Sequence, residues 1–423
     1  MADRNVPPLD SGPVIRDLTE LRSLTSTPDG AQRVAWGPVW RKARAWYTDK
    51  IKNELGLSVR TDSAGNNWVT LPGERRDALI IGSHLDSVPN GGWLDGCFGV
   101  LTGIGAIRRL HAAGKPRVTI HVVDWADEEG ARFGRSLVGS SAAAGSLHPD
   151  SELAHLVDRS GTKMPDAMKE NGVDLGTMMR AQQELKEAGG KAYLEVHIEQ
   201  GPVLEKMKKS TGVVLGTFGV ERHMVRFTGQ AAHSGSTPIA MRRDAFLAAS
   251  EFALECRKIG LKMCGPTPET RVVSTCGVVK VEPCIVTAVP GACDISLDQR
   301  ALSAKVLARM NAAARKASQK AAKRNNVKAE WKTLWQIEPR PFDKRLLQFC
   351  EESVREITGT APRLPSGPLH DAAEMVPHMP TVMMFASSSR GLSHCKEEDT
   401  PQPHLDKTIR SFFRLVDRVV AAL

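Results

Sequence analysis

Between residues 81 and 100 the chain reads IGSHLDSVPNGGWLDGCFGV, where side chains able to bind a cation crowd the end of an apolar run. The run at 78–81, Ala-Leu-Ile-Ile, reads as a buried strand that delivers His84 and Asp86 at its C-terminal end. A Pro-Asn-Gly-Gly turn then brings back Asp95, just ahead of a small-residue helix expected over 99–113. In open α/β sheets, ligands collect at the C-terminal strand ends. His84 and Asp95 are metal-ligand types, and Asp86 can hold the second ring nitrogen of His84 or orient it from behind. A lone His-x-Asp is common without function, so the neighbouring strands have to decide.

VTIHVVDWADEEGARFG, at 118–134, is a second apolar strand running into Glu128-Glu129. Adjacent carboxylates repel unless a cation or shared proton offsets their charge. A bare Glu-Glu pair alone reads as a solvated acidic loop. A third strand of the same design, YLEVHIEQ at 193–200, delivers His197 and Glu199, and a fourth apolar run at 381–385 leads to Gly391-Leu392-Ser393-His394. Five ligand candidates and a spare glutamate at four strand ends are what a two-metal hydrolase needs.

These ends need a sheet to hold them. Helices between the strands (99–113 and 175–188) give the β-α alternation of a mostly parallel sheet covered on both faces. Residues 13–56 read as helical, carrying Trp36, Trp40 and Trp46 as a packing stripe, and 59–71 as a hairpin around Ser63-Ala64-Gly65-Asn66. The middle of the chain changes rhythm: strand 223–228, helix 243–259, strands 271–280 and 293–300, helix 303–325, strand 329–337. That β-α-β-β-α-β order is the split βαβ layout. The expected architecture is α/β, with a catalytic metal-binding domain from residues 1–211 and 338–423 and an inserted domain from 212–337. A chain of 423 residues is long for a single core, which agrees with two domains.

Composition is that of a globular protein, 41% hydrophobic and 25% charged, and no run approaches the ~20 apolar residues needed to span a bilayer. The N-terminal MADRNVPPLDSG lacks the charged-then-apolar pattern of a signal peptide, so a cytoplasmic enzyme is expected. Eight cysteines without a Cys-x-x-Cys argue against a zinc ribbon or redox pair. The net charge of +9 is nearly accounted for by residues 301–329, with eight Lys or Arg and no acid. Lacking interleaved aromatic residues, that stretch reads as the solvated face of a basic amphipathic helix and not as a nucleic-acid patch.

The motifs resemble the hydantoinase/carbamoylase branch of the two-zinc aminoacylase and carboxypeptidase superfamily. The resemblance covers nearly the whole chain, in order: GSHLDS from 82, GGWLDG from 91, DEEGARFG from 127, HIEQGP from 197, AHSGSTP from 232 and GLSH from 391. It implies a two-metal exopeptidase-like catalytic domain with an inserted ferredoxin-like lid and dimerisation domain. It also implies that Asp95 bridges two divalent ions (Zn, or Mn, Co or Ni), one held by His84 and His197, the other by Glu129 and His394. Glu128 is then the general base and Asp86 a residue supporting the ligands. His233 would stabilise the oxyanion in the partner subunit's site, and Arg300 would grip the substrate carboxylate. Gln200, His370, Thr287 and Val220 fall on the substrate side. There the chain departs from the family's pattern. Thr287 stands for a usual asparagine, Val220-Glu221 for Gln-Arg, and Pro368-Leu369 for the Ala-Gly before His370.

The function expected is a homodimeric amidohydrolase cleaving a linear C–N bond in a small carboxylate-bearing substrate, foremost an N-carbamoyl-L-amino acid. The alternatives are an N-acyl or aryl-acyl amino acid, allantoate or ureidoglycolate, or a catalytically silent binding protein. Neither nucleic acid nor membrane is an expected partner.

Overall fold

The computed structural model of the chain describes residues 8–423; the leader reading of MADRNVP lies outside the described residues. Two compact units are formed. One is built from the chain up to Leu215 with Phe342–Leu364 and Leu369–Leu423, the other from Gly216–Pro341 and Pro365–Pro368. The breaks fall at 216 and 342 where the sequence suggested 212 and 338, because residues 211–214 still pair with the strand Thr381–Ala386 of the first unit.

In the first unit, Val118–Trp125, Arg75–His84, Gly190–Ile198 and Thr381–Ala386 lie side by side in that order and pair in parallel. These are the four strands whose ends carry the ligand candidates. Parallel neighbours share one direction, so all four C-terminal ends meet at one edge of the sheet. Asn67–Leu71 and Val59–Thr61 extend the sheet on one side and Thr211–Thr217 on the other, all antiparallel. A hairpin such as 59–71 can return only antiparallel, whereas a parallel neighbour needs a crossover.

Successive residues of the strands face opposite sides, as the period of two requires. Leu79, Ile81, Val122 and Val196 join one buried cluster with Phe98, Phe412 and Val416, while Ile80, Val123, Trp125 and Tyr193 join another with Trp36, Trp40 and Met375. The sheet is therefore covered on both faces. The helix Cys97–Ala112 approaches it closely because of its glycines: a Cβ on Gly99 would lie 2.5 Å from Ser83 Cβ.

The first fifty residues correct the sequence reading. Instead of one helical stretch there are two helices, Gly12–Thr25 and Pro38–Leu55, separated by a small hairpin. Pro38 sits at the start of the second helix, where its missing N–H costs nothing. Trp36 lies between the helices at φ 61° with its indole N–H donating to Asp127 Oδ2 at 2.6 Å, so it is not part of a helical stripe. The helix expected over 175–188 is likewise shorter: a 3-10 turn Met178–Arg180 leads into Ala181–Glu187.

In the second unit the strands Val272–Thr275, Ala292–Ala301, Gly219–Thr228 and Lys328–Ile337 lie in that order, all antiparallel, with Val279–Glu282 also on Ala292–Ala301. Helices Ala245–Met263 and Ala304–Arg324 pack on one face around Val225, Phe227, Phe252, Ile295 and Leu297. Asp244 and Ser303 cap their first turns, accepting backbone N–H groups that would otherwise lack partners. The basic helix buries Leu307, Met310, Ala314 and Ala321. Among the described residues, no helix is long and apolar enough to cross a membrane.

Candidate metal centre

His84 ends its strand, is 1% exposed, and turns Nδ1 to the backbone oxygen of Asp86 at 3.2 Å. His197 does the same toward Ile198 O at 3.0 Å. A carbonyl can only accept, so in both rings Nδ1 carries a hydrogen and Nε2 is the nitrogen left to meet a cation. Both Nε2 atoms face Asp95 Oδ1, at 3.8 Å from His84 and 3.2 Å from His197. The backbone N–H of Gly96 points at the same nitrogen of His197 at 3.2 Å, which agrees with that tautomer.

On the other side of Asp95, Oδ2 lies 3.4 Å from His394 Nε2, and His394 Nε2 lies 3.3 Å from Glu129 Oε2. Two groups of three potential ligands result, His84–Asp95–His197 and Asp95–Glu129–His394, each with its ligand atoms within 4.8 Å of one another. They share Asp95, which turns one oxygen to each. Glu128 belongs to neither: its Oε2 is 3.6 Å from His84 Nε2.

Asp86 binds the strand ends together. Its two oxygens accept the backbone N–H groups of Glu128 (3.3 Å) and Glu129 (3.2 Å), and Oδ1 lies 3.4 Å from His84 Nδ1. Glu199 turns away and accepts the N–H groups of Val203 and Leu204, opening the short helix Val203–Lys206. Gln200 sits among the ligands, donating to Asp95 Oδ2 at 2.8 Å with His394 Nε2 3.3 Å away.

The electrostatics follow from five carboxylates, Asp86, Asp95, Glu128, Glu129 and Asp371, set among the imidazoles of His84, His197 and His394. Burial and the like charges of Glu129, Asp371 and Asp86 push Glu128 well above the usual carboxylate range against the pull of His84, and burial with Asp95 pushes Glu129 up to about 8. Burial opposes charge on His84, but Glu128, Asp86 and Asp95 outweigh it and raise the ring's pKa. Buried acids in such mutual conflict favour a compensating cation. The donor set fits a divalent ion of the zinc or manganese type. Glu129 Oε1, buried and without a hydrogen-bond partner, fits it too.

His370 is 2% exposed, with its ring 4.5 Å from that of His197 and its Nε2 unpartnered. Burial, then His197, lowers its pKa well below the ordinary value, so the ring is neutral. The remaining expected residues lie in the second unit. His233 is exposed and its Nδ1 accepts from Gly235 N (3.0 Å) and Ser236 N (3.2 Å), which leaves Nε2 as the protonated nitrogen. Arg300 holds Asp298 through Nε (2.8 Å) and Nη2 (3.2 Å), and Gly367 O through Nη1 (3.0 Å). Val220 pairs with Arg300 across the strands and is 1% exposed. Thr287 is exposed on a loop.

Two buried acids escaped the sequence reading. Asp127 receives the Trp36 indole, and Glu398 receives the backbone N–H groups of Leu94 and Asp95. In sequence, Glu398 sits in the run Lys-Glu-Glu-Asp, which looks solvated; its only signal is its place four residues after His394.

Comparison with known proteins agrees with this geometry. The family model described as peptidase family M20/M25/M40 matches residues 80–418. The chain is 34% identical over 391 residues to the N-carbamoyl-L-amino acid amidohydrolase of Geobacillus stearothermophilus, covering 90% of this chain and 91% of that protein. Over 388 residues it is 32% identical to the allantoate amidohydrolase of Escherichia coli (strain K12), covering 90% and 92%. A crystal structure of an amidase of the hydantoinase/carbamoylase family from Burkholderia phymatum matches with a TM-score of 0.86 at 30% identity, covering 99% of each chain. The chain therefore belongs to peptidase family M20/M25/M40, within its hydantoinase/carbamoylase branch, and is a hydrolase of carbon–nitrogen bonds other than peptide bonds.

Proposed function

We propose that the chain is a homodimeric, two-metal amidohydrolase whose substrate is an N-carbamoyl-L-amino acid, converted to the amino acid, ammonia and carbon dioxide. The observation that carries this reading is the pair of ligand groups sharing Asp95, with a buried glutamate, Glu128, beside them and outside both. His84 and His197 would hold one ion, Glu129 and His394 the other, with Asp95 between. The ions (Zn, or Mn, Co or Ni) would supply Lewis acidity and a water acidic enough to ionise near neutral pH.

The chain's own residues account for the rest. Asp86 fixes the backbone of both glutamates and orients His84. Glu128, the catalytic base, accepts the proton of the attacking water on its carboxylate and hands it to the leaving nitrogen. The inserted unit, Gly216–Pro341, serves as lid and dimerisation domain, and the first unit is the catalytic domain. The partner's His233 then offers Nε2–H to the developing oxyanion, a task for which its doubly accepted Nδ1 prepares it. Arg300 binds the substrate carboxylate, a planar bidentate task. His370, Gln200, Thr287 and Val220 line or support the substrate side. Eight cysteines, all unpaired, support a reducing, cytoplasmic setting.

A second reading, allantoate or a related ureide as substrate, is favoured by the likeness to the Escherichia coli enzyme. Against it stand Thr287 and Val220, which offer fewer polar partners than the family's usual residues. Measuring kcat/KM for allantoate, N-carbamoyl-methionine, N-carbamoyl-β-alanine and an N-aryl-acyl amino acid under one metal condition separates the readings. N-carbamoyl-methionine is expected to lead. Allantoate as the best substrate of the four would replace the first reading by the second, and no turnover of any would favour a silent binding protein.

A further inference from the structure

We propose that Glu398 is a positioning residue for the metal centre, holding the Asp95 backbone and the Ser393–His394 segment together so that both address the same ion. This rests on the two-metal reading above. The two segments are about three hundred residues apart, and His394 belongs to no strand or helix, taking φ 56° on an irregular loop. Its ring is half-exposed, whereas His84 and His197 are buried and oriented by carbonyls of their own segments.

What joins the loop to the rest of the site is a carboxylate. Glu398 is 2% exposed; its Oε1 accepts Leu94 N at 3.1 Å and Asp95 N at 3.0 Å, and its Oε2 accepts Ser393 Oγ at 2.7 Å. Ser393 Oγ is also 3.1 Å from Asp95 Oδ2, the oxygen that faces His394. One acid thus fixes the main chain of the shared ligand and, through a hydroxyl, reaches its carboxylate. Gly92 leaves room for it: a Cβ there would lie 1.9 Å from the Glu398 carboxyl carbon. Groups that hold ligands from behind commonly govern metal affinity by ten- to a hundredfold.

The test compares wild type, Glu398→Ala and Glu398→Gln for Mn²⁺ and Zn²⁺ stoichiometry and affinity by chelator competition, with thermal unfolding of the metal-free proteins alongside. Wild type is expected to bind two ions. Glu398→Ala should retain one with near-normal affinity and bind the second roughly ten- to a hundredfold more weakly. Glu398→Gln, which keeps an oxygen for the two N–H donors, should recover much of that loss. Gly92→Ala, which crowds the carboxylate without removing it, should weaken the same ion. Unchanged affinity for both ions in Glu398→Ala overturns the proposal. So does an equal weakening of both that tracks a drop in metal-free unfolding temperature, since that marks a purely structural group. If Glu398→Ala does not fold, Ser393→Ala decides in its place: it must weaken one ion, and wild-type binding of both overturns the proposal. A wild-type protein that binds no ion pair would instead defeat the two-metal reading itself.

Discussion

Glu128 and Glu129 are the same side chain one residue apart, and only their surroundings divide their work. Glu129 Oε2 points to His394, while Glu128 Oε2 points to His84 and lies outside both ligand groups. Glu128→Gln is nearly isosteric, so the metal content should stay at the wild-type value while kcat falls by roughly 10²–10⁴-fold. Elemental analysis beside steady-state kinetics checks this. A variant that loses an ion and keeps its turnover would exchange the roles of the two glutamates. Asp95→Ala differs in kind. Asp95 is the member common to both groups, so both ions should be lost on dialysis, leaving protein that still unfolds cooperatively.

At the scale of elements, the turn from strand to helix controls the site. Gly96 has φ 66°, and a Cβ on it would lie 2.3 Å from the His84 ring. Gly56, past the end of helix Pro38–Leu55, has nearly the same φ of 64° but nothing within 4 Å of such a Cβ. Backbone strain alone costs about 1–2 kcal/mol at Gly56, which sits in the left-handed helical region, and more at Gly96, whose ψ of −55° lies outside it. Gly56→Ala should therefore lower stability by about that amount and leave activity intact. Gly96→Ala should add displacement of His84 and abolish metal-dependent turnover. Denaturant titration and kinetics on the pair separate strain from collision; equal activity in both variants would show that His84 tolerates the crowding.

For the molecule as a whole, one buried histidine couples stability to pH away from the ligands. His121 sits between Thr70 Oγ1 (2.9 Å from Nδ1) and Ala188 O (3.1 Å from Nε2), and burial lowers its pKa from 6.5 to about 4. The folded state thus refuses a proton that the unfolded chain accepts. Its contribution is intact above pH 6.5, falls as pH drops toward about 4, and levels below that. The loss is roughly 3 kcal/mol at most. Unfolding free energies measured from pH 7.5 to 4 should fall less steeply in His121→Gln, which can keep both hydrogen bonds; parallel slopes would remove His121 from the account. Assembly has its own test. Glu128→Gln and His233→Ala subunits, each inactive alone, should regain about a quarter of wild-type activity after exchange, since half the dimers are mixed and each mixed dimer has one intact site. No recovery after verified exchange would place His233 in its own subunit's site or outside catalysis.

The ligand candidates were legible because they cluster at or after the ends of apolar runs, a pattern set by local chemistry. Four such runs, with His84, Asp95, Glu129, His197 and His394 after them, single out a candidate ligand set before any coordinate is known. The family motifs rest on the same residues. What the sequence could not decide is what depends on distant segments meeting. Glu398 reads as one acid in a charged run, yet it is buried against Leu94 and Asp95. Trp36 reads as helix packing, yet its indole finds Asp127. Glu199 and Gln200 stand within three residues of His197, yet one opens a helix and the other reaches Asp95. Hydrophobic periodicity reports which face of an element is buried, because that depends on near neighbours. Which polar group a buried donor meets depends on loops that close only when the sheet is assembled, and tertiary structure alone decided it.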